Sequence, residues 1–172
     1  MSQITVFNQQ NKVIETSDLI YNKSATARIF KVNVCEIIDL RVWSKICFVI
    51  IRGRRPTFIS KKVFLSHFAD WRLGASQRFQ IVRVNNSVYR VIRPLTQRVE
   101  TITITSNSIN CTCPDYQTQQ TVFGQNKACC SHVYRTLNYL GYERLKDYLS
   151  CPKRSHRNSD KPNIQVDCTS LK

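Results

Sequence analysis

Cys111-Thr112-Cys113 and Cys130-Ser131-His132 are the residues of this chain whose types and spacing could do chemistry. Three thiols and one imidazole fall in two tight pairs, with sixteen residues between Cys113 and Cys130. Thiolate sulfur and imidazole nitrogen are the donors that a borderline-soft ion prefers, and four of them make a closed tetrahedral Zn²⁺ site. One structural zinc per chain, held by Cys111, Cys113, Cys130 and His132, is therefore expected. A catalytic zinc keeps a coordination position open for water. Here protein fills all four, so no chemistry at the metal is expected.

Cys129 stands beside Cys130, and Cys129-x-x-His132 is a rival second pair. Disulfides are a poor account of these residues. A Cys-x-Cys loop is too tight for an unstrained bond, and adjacent Cys129 and Cys130 are worse partners still. Of the eight cysteines, Cys35 and Cys47 lie in apolar runs and read as small buried hydrophobes, while Cys151 and Cys168 sit in a polar stretch without an evident role.

The ligands need a strand before them and a helix after them, and the flanking sequence supplies both. Phe79–Val84, Val88–Arg93 and Val99–Thr105 alternate as strands, with turns at Asn85-Asn86-Ser87 and Ser106-Asn107-Ser108. Ile109 leads on into Cys111, so a β-meander ends in the metal hairpin. Residues 114–128, rich in Gln and Thr with one base at Lys127, read as a flexible, solvated loop. Ser131–Leu140 reads as a helix with Val133, Leu137 and Leu140 on one face, Gly141 as its cap, and Tyr142–Leu149 as a second short helix.

This arrangement resembles the SWIM zinc finger. The resemblance rests on Cys111-x-Cys113, a spacer and Cys130-x-His132, on the strands at Tyr89-Arg90-Val91 and Thr101–Ile104, on Pro114-Asp115-Tyr116, and on Val133-Tyr134 after the last ligand. It covers roughly residues 84–141, about a third of the chain. It implies Cys130 rather than Cys129 as the third ligand. It further implies association with DNA or with protein partners, including accessory factors of recombination machinery. Residues 1–78 carry no such resemblance.

In the N-terminal half, Arg28–Ile38 alternates as a strand, and Val42–Arg52, nearly continuous in apolar residues, reads as a central one. Asp39-Leu40-Arg41 would turn between them, and Gly53-Arg54-Arg55-Pro56 breaks the pattern. Ser60 caps a helix over Lys61–Leu73, with Val63, Phe64, Phe68 and Trp71 sharing a face and Gly74 ending it. His67, alone on its flank, reads as structural. The expected fold is α+β: an antiparallel sheet with one helix in the N-terminal half, then a zinc-clamped hairpin and helix. The expected divisions are a polar segment at 1–27, a basic β-β-α region at 28–78, the meander with its finger and C-terminal helices at 79–150, and a basic tail of disordered composition at 151–172.

Charge is the second strong signal. The chain carries 26 Lys and Arg against 11 Asp and Glu, a net +15. Between Arg28 and Arg98 stand fifteen bases and three acids, Glu36, Asp39 and Asp70. That is the footprint of a polyanion binder. Arg52, Arg54, Arg55, Lys61, Lys62, Arg78, Arg83, Arg90 and Arg93 are the candidate phosphate contacts, with Trp43, Phe79 and Tyr89 as stacking faces if exposed. The sequence thus points to nucleic acid as partner, with a protein partner as the other reading: an adaptor in a nucleic-acid-processing complex. No nucleophile elbow, phosphate-cradling loop, deaminase pair or helical His-Glu-x-x-His is present, and acids are scarce, so neither an enzyme nor a small-molecule substrate is expected. Met1-Ser2-Gln3-Ile4-Thr5 lacks the basic start and apolar run of a secretory signal, and Ile46–Ile51 is too short to span a bilayer. A reduced, cytoplasmic or nuclear setting without a membrane partner is expected.

Overall fold

Asn22 sets the first sizeable element in place. Its side chain accepts the Ala25 N–H at 2.8 Å and caps helix α2, Lys23–Phe30. A short helix α1, Thr16–Ile20, precedes it. The computed structural model describes residues 14–151, so the polar segment up to residue 13 and the tail beyond Cys151 lie outside the described residues.

Helix α2 corrects the reading of Arg28–Ile38 as one strand. The helix runs through Phe30, stops at Lys31 in the left-handed conformation (φ 54°), and a single 3₁₀ turn, Val34–Glu36, follows. Phe30, Val32 and Val34 do alternate, but a side-chain cap and the small Ala25 and Ala27 against the core outweigh three apolar residues of matching parity. Strand β1 is Ile37–Val42 and β2 is Ile46–Ile51. The turn between them lies at 43–45, so Asp39-Leu40-Arg41 is strand rather than turn. Past Gly53 (φ 74°), a third strand β3, Thr57–Ser60, pairs with β2, giving an antiparallel sheet in the order β1-β2-β3.

Ser60 accepts the Lys62 N–H at 3.2 Å and starts α3, Lys61–Ser76. Gly74 lies inside this helix rather than ending it. Phe64 is fully buried and Phe68 half-buried, while Val63 and Trp71 stay exposed. Cys47, Val49 and Ile51 point inward from β2 and pack with Ala25, Ala27, Ile20 and Phe64.

The second sheet is the expected meander: β4 Gln80–Arg83, β5 Val88–Arg93, β6 Arg98–Thr105 and β7 Ser108–Cys111, all antiparallel in that order. Its inner face offers Tyr89, Val91, Ile102, Ile109 and Cys111 to a core closed by Val133 and Leu137 of α5, Ser131–Tyr139. Gly141 (φ 84°) lets Tyr142 N–H reach the Leu137 carbonyl at 2.9 Å and ends α5. The last element among the described residues is α6, Leu145–Ser150.

Residues 114–123 do not form a loop. They form helix α4, Pro114–Phe123, with Pro114 in its first turn and Gly124 (φ 86°) just past its end. Across the described residues the fold is α+β with two antiparallel sheets, and α3 packs on α5 to join them.

Candidate metal centre

Each of the four donors sits where an element begins or ends. Cys111 is the last residue of β7. Thr112 continues the pairing past that end: its N–H donates to the Thr101 carbonyl at 3.1 Å, and its Oγ1 accepts the Thr101 N–H at 3.0 Å. The Thr112 hydroxyl then donates to Glu100 Oε2 at 2.7 Å. The residue between the two cysteines is thereby pinned to β6. Cys113 is the N-cap of α4, and its sulfur accepts the Tyr116 N–H at 3.3 Å. Tyr116, fully buried, returns its hydroxyl to the Ile109 carbonyl at 2.7 Å and ties α4 back to β7.

The second pair starts α5. Cys130 is its N-cap and His132 lies in its first turn, with Nδ1 3.8 Å from Cys130 Sγ. The His132 ring stacks on Phe79 at 4.7 Å between centroids and 17° between planes, and the Arg93 guanidinium lies over the Phe79 ring. These contacts hold the imidazole plane.

The donor atoms of Cys111, Cys113, Cys130 and His132 all lie within 4.8 Å of one another. The three thiols are buried and His132 is half-buried. Without a cation the sulfurs share their charge unequally. The hydrogen bond to Cys113 pushes the Cys111 thiol up to about 12. Hydrogen bonds from Cys111 and Cys130 hold Cys113 well below the usual thiol range. Burial pushes Cys130 far up. Burial and mutual repulsion oppose three thiolates in one dry cluster, and a divalent ion would favour them because its charge replaces the protons. The donor set thus suits a closed, four-coordinate metal ion.

Cys129 lies outside this group. Burial pushes its thiol up to about 12, and a hydrogen bond joins it to Tyr134. Its backbone N–H donates to Gln119 Oε1 at 2.9 Å, which fixes the chain just before Cys130.

The nine candidate phosphate contacts do not form one surface. Arg52, Arg54 and Arg55 are exposed together at the end of β2 and in the connection to β3. Lys62 is exposed in the first turn of α3, whereas the Lys61 ammonium lies 4.8 Å over the Tyr21 ring. Arg78 is exposed between α3 and β4. Arg83 pairs opposite Tyr89 and is spent on the turn, donating to Asn86 Oδ1 at 2.5 Å. Arg90 falls on the opposite face from Arg83 and Arg93. Of the candidate stacking residues, Phe79 and Tyr89 are core and only Trp43 is exposed. His67 accepts from Arg28 Nε at 3.2 Å and takes no part in the cluster.

Sequence reasoning missed the support from α3. Arg72 Nε and Nη2 hold both oxygens of Asp115, and Gln119 Nε2 donates to the same carboxylate at 3.0 Å. Pro114-Asp115 after a capping residue, with Gly124 ten positions on, was a helix-start and helix-stop signal that could have revealed α4.

Comparison of the chain with protein-family models, with curated proteins and with solved structures gives no match. Among the described residues, no helix is long and apolar enough to cross a membrane.

Proposed function

We propose that this is a zinc-stabilised, non-catalytic nucleic-acid-binding protein of SWIM-finger type, which grips the phosphate backbone. Zinc is the metal that best suits three thiolates and one imidazole. Its role is to weld β7, α4 and α5 into a rigid unit, since the ligands are all protein and none is left for a reacting water.

The observation that carries the reading is the open basic group at the end of the first sheet. Arg52, Arg54 and Arg55 stand exposed, and no carboxylate among the described residues pairs with them. Unpaired guanidinium groups on a chain of net charge +15 suit phosphate. Titration of the zinc-loaded protein against single- and double-stranded DNA and RNA at several salt concentrations tests it. Affinity should fall linearly in log salt. Binding that is absent, or indifferent to salt, would refute the reading.

The adaptor reading draws on a different observation. Val82 and Val99 on the outer face of the second sheet are exposed, and Leu95 in the β5–β6 turn is 95% exposed. An interface built on them would persist at high salt, and Leu95→Ser would weaken it without changing nucleic-acid affinity.

A further inference from the structure

The outer face of the first sheet carries three aromatic rings that its core does not use. Residues of β2 alternate: Cys47, Val49 and Ile51 turn inward and are buried, while Ile46, Phe48 and Ile50 turn outward. Phe48 pairs with Arg41 of β1 on one side and with Phe58 of β3 on the other. Trp43, in the β1–β2 turn, completes the group. Its ring lies parallel to Phe48 (6.1 Å, 6°) and 5.6 Å from Phe58, and Phe48 and Phe58 are 5.2 Å apart. Cross-strand aromatic pairing explains why the rings touch. It does not explain why Trp43 remains 48% and Phe58 58% exposed.

The frame around the rings is basic. Arg41 shares their face by register, and exposed Arg52 follows directly on the end of β2. Lys45 follows Trp43 in the turn, and Arg54 and Arg55 lead into the strand that carries Phe58. The acid on this face, Asp39, is held by Arg41 at 2.7 Å. An apolar protein surface would gain nothing from this ring of charge. A flexible polyanion with flat, unpaired bases would gain from both parts.

We propose that Trp43, Phe48 and Phe58 form a stacking platform for unpaired bases, with Arg52, Arg54 and Arg55 holding the flanking phosphates. This rests on the nucleic-acid reading and narrows it to single strands. Base–aromatic stacking tolerates any sequence because every base has a π-face. A broad sheet face suits splayed single strands, whereas duplex stacking hides the base planes from it.

The test uses the zinc-loaded full chain with a labelled oligo(dT), an oligo(U) and a mixed-sequence duplex. Trp43→Ala and Phe58→Ala should each weaken single-strand binding by about tenfold while leaving the salt slope unchanged. Trp43→Phe should retain most of the affinity. Trp43 and Trp71 are the tryptophans of this chain, so Trp71→Phe isolates the Trp43 fluorescence. Oligo(dT) should then quench it, and this measurement keeps every platform ring in place. Unquenched Trp43 fluorescence under saturating oligo(dT), or a duplex bound more tightly than oligo(dT), would overturn the platform while the nucleic-acid reading stands. No binding to any nucleic acid would remove both. Quenching by phosphatidylserine vesicles and not by oligonucleotides would reassign the rings to a membrane surface.

Discussion

Arg72 and Asp115 meet through two hydrogen bonds, Nε to Oδ2 at 3.0 Å and Nη2 to Oδ1 at 2.6 Å, and so tie α3 to the first turn of α4. Arg72 also donates Nη1 to the Phe68 carbonyl and lies 3.6 Å over the Phe68 ring. The bond joins the half of the chain that carries the first sheet to the helix that begins at Cys113 of the candidate metal centre. Gln119 extends it, linking Asp115 to the backbone just before Cys130.

The two partners are unequally exposed, with the Arg72 side chain at 9% and Asp115 at 39%. Removing Asp115 therefore strands a buried cation, whereas removing Arg72 leaves a carboxylate that water can reach. Asp115→Ala should destabilise the chain by about 2–3 kcal/mol, less than the full loss for a wholly buried pair. Urea denaturation of the zinc-loaded protein measures this. A midpoint equal to that of the unaltered protein would mean the pair contributes nothing.

Purified protein should carry one zinc per chain, released by Cys130→Ser and kept by Cys129→Ser. The reason is the opposite surroundings of the two neighbours, Cys130 among the donors and Cys129 against Tyr134. Loss of a ligand should also loosen β7 and α5, because metal binding and folding are linked. Metal analysis with circular dichroism reads both. Zinc retained in Cys130→Ser and lost in Cys129→Ser would reverse the assignment.

The metal should be lost in acid. With no cation present, Cys111 is pushed up to about 12 and Cys130 is raised by burial, so both hold protons that the metal must displace. A metal-bound thiolate has the lower proton affinity. The stability it confers is therefore present at higher pH and is lost as pH falls. Chelator-detected zinc release should rise as the solution is acidified, because protons compete increasingly for the thiolates. Release independent of pH would exclude thiolate ligation.

Replacing Arg52, Arg54 and Arg55 together with Ala should weaken binding to unrelated sequences about equally. On duplex DNA the slope of log affinity against log salt should shrink by roughly 2.7, at about 0.9 per phosphate contact. These side chains are exposed and unpaired among the described residues, so stability should change little. An unchanged slope would place the phosphate contacts elsewhere.

The meander and its helix were readable in the chain because local signals and tertiary demands agree there. Tyr89, Val91 and Ile102 alternate, Gly141 takes the positive φ that ends α5, and Ser60 caps α3. The segments misread are those where a pattern competed with a cap. Phe30, Val32 and Val34 suggested a strand, but Asn22 caps a helix and Lys31 stops it. Gln-rich 114–123 suggested a loop, but Cys113, Pro114 and Gly124 bound a helix whose buried residues, Tyr116 and Gln119, make specific hydrogen bonds.

The two Cys/His pairs as candidate donors, the basic balance and the α+β class were determined by the sequence itself, because donor chemistry, net charge and local periodicity belong to the residues. Tertiary structure decided which neighbour of a matched pair faces which way: Cys130 to the metal cluster and Cys129 to Tyr134, Tyr89 and Phe79 to the core and Trp43 to the surface. Those choices depend on which side of a strand or helix meets another element. That is set only when α3 packs on α5 and Arg72 closes on Asp115.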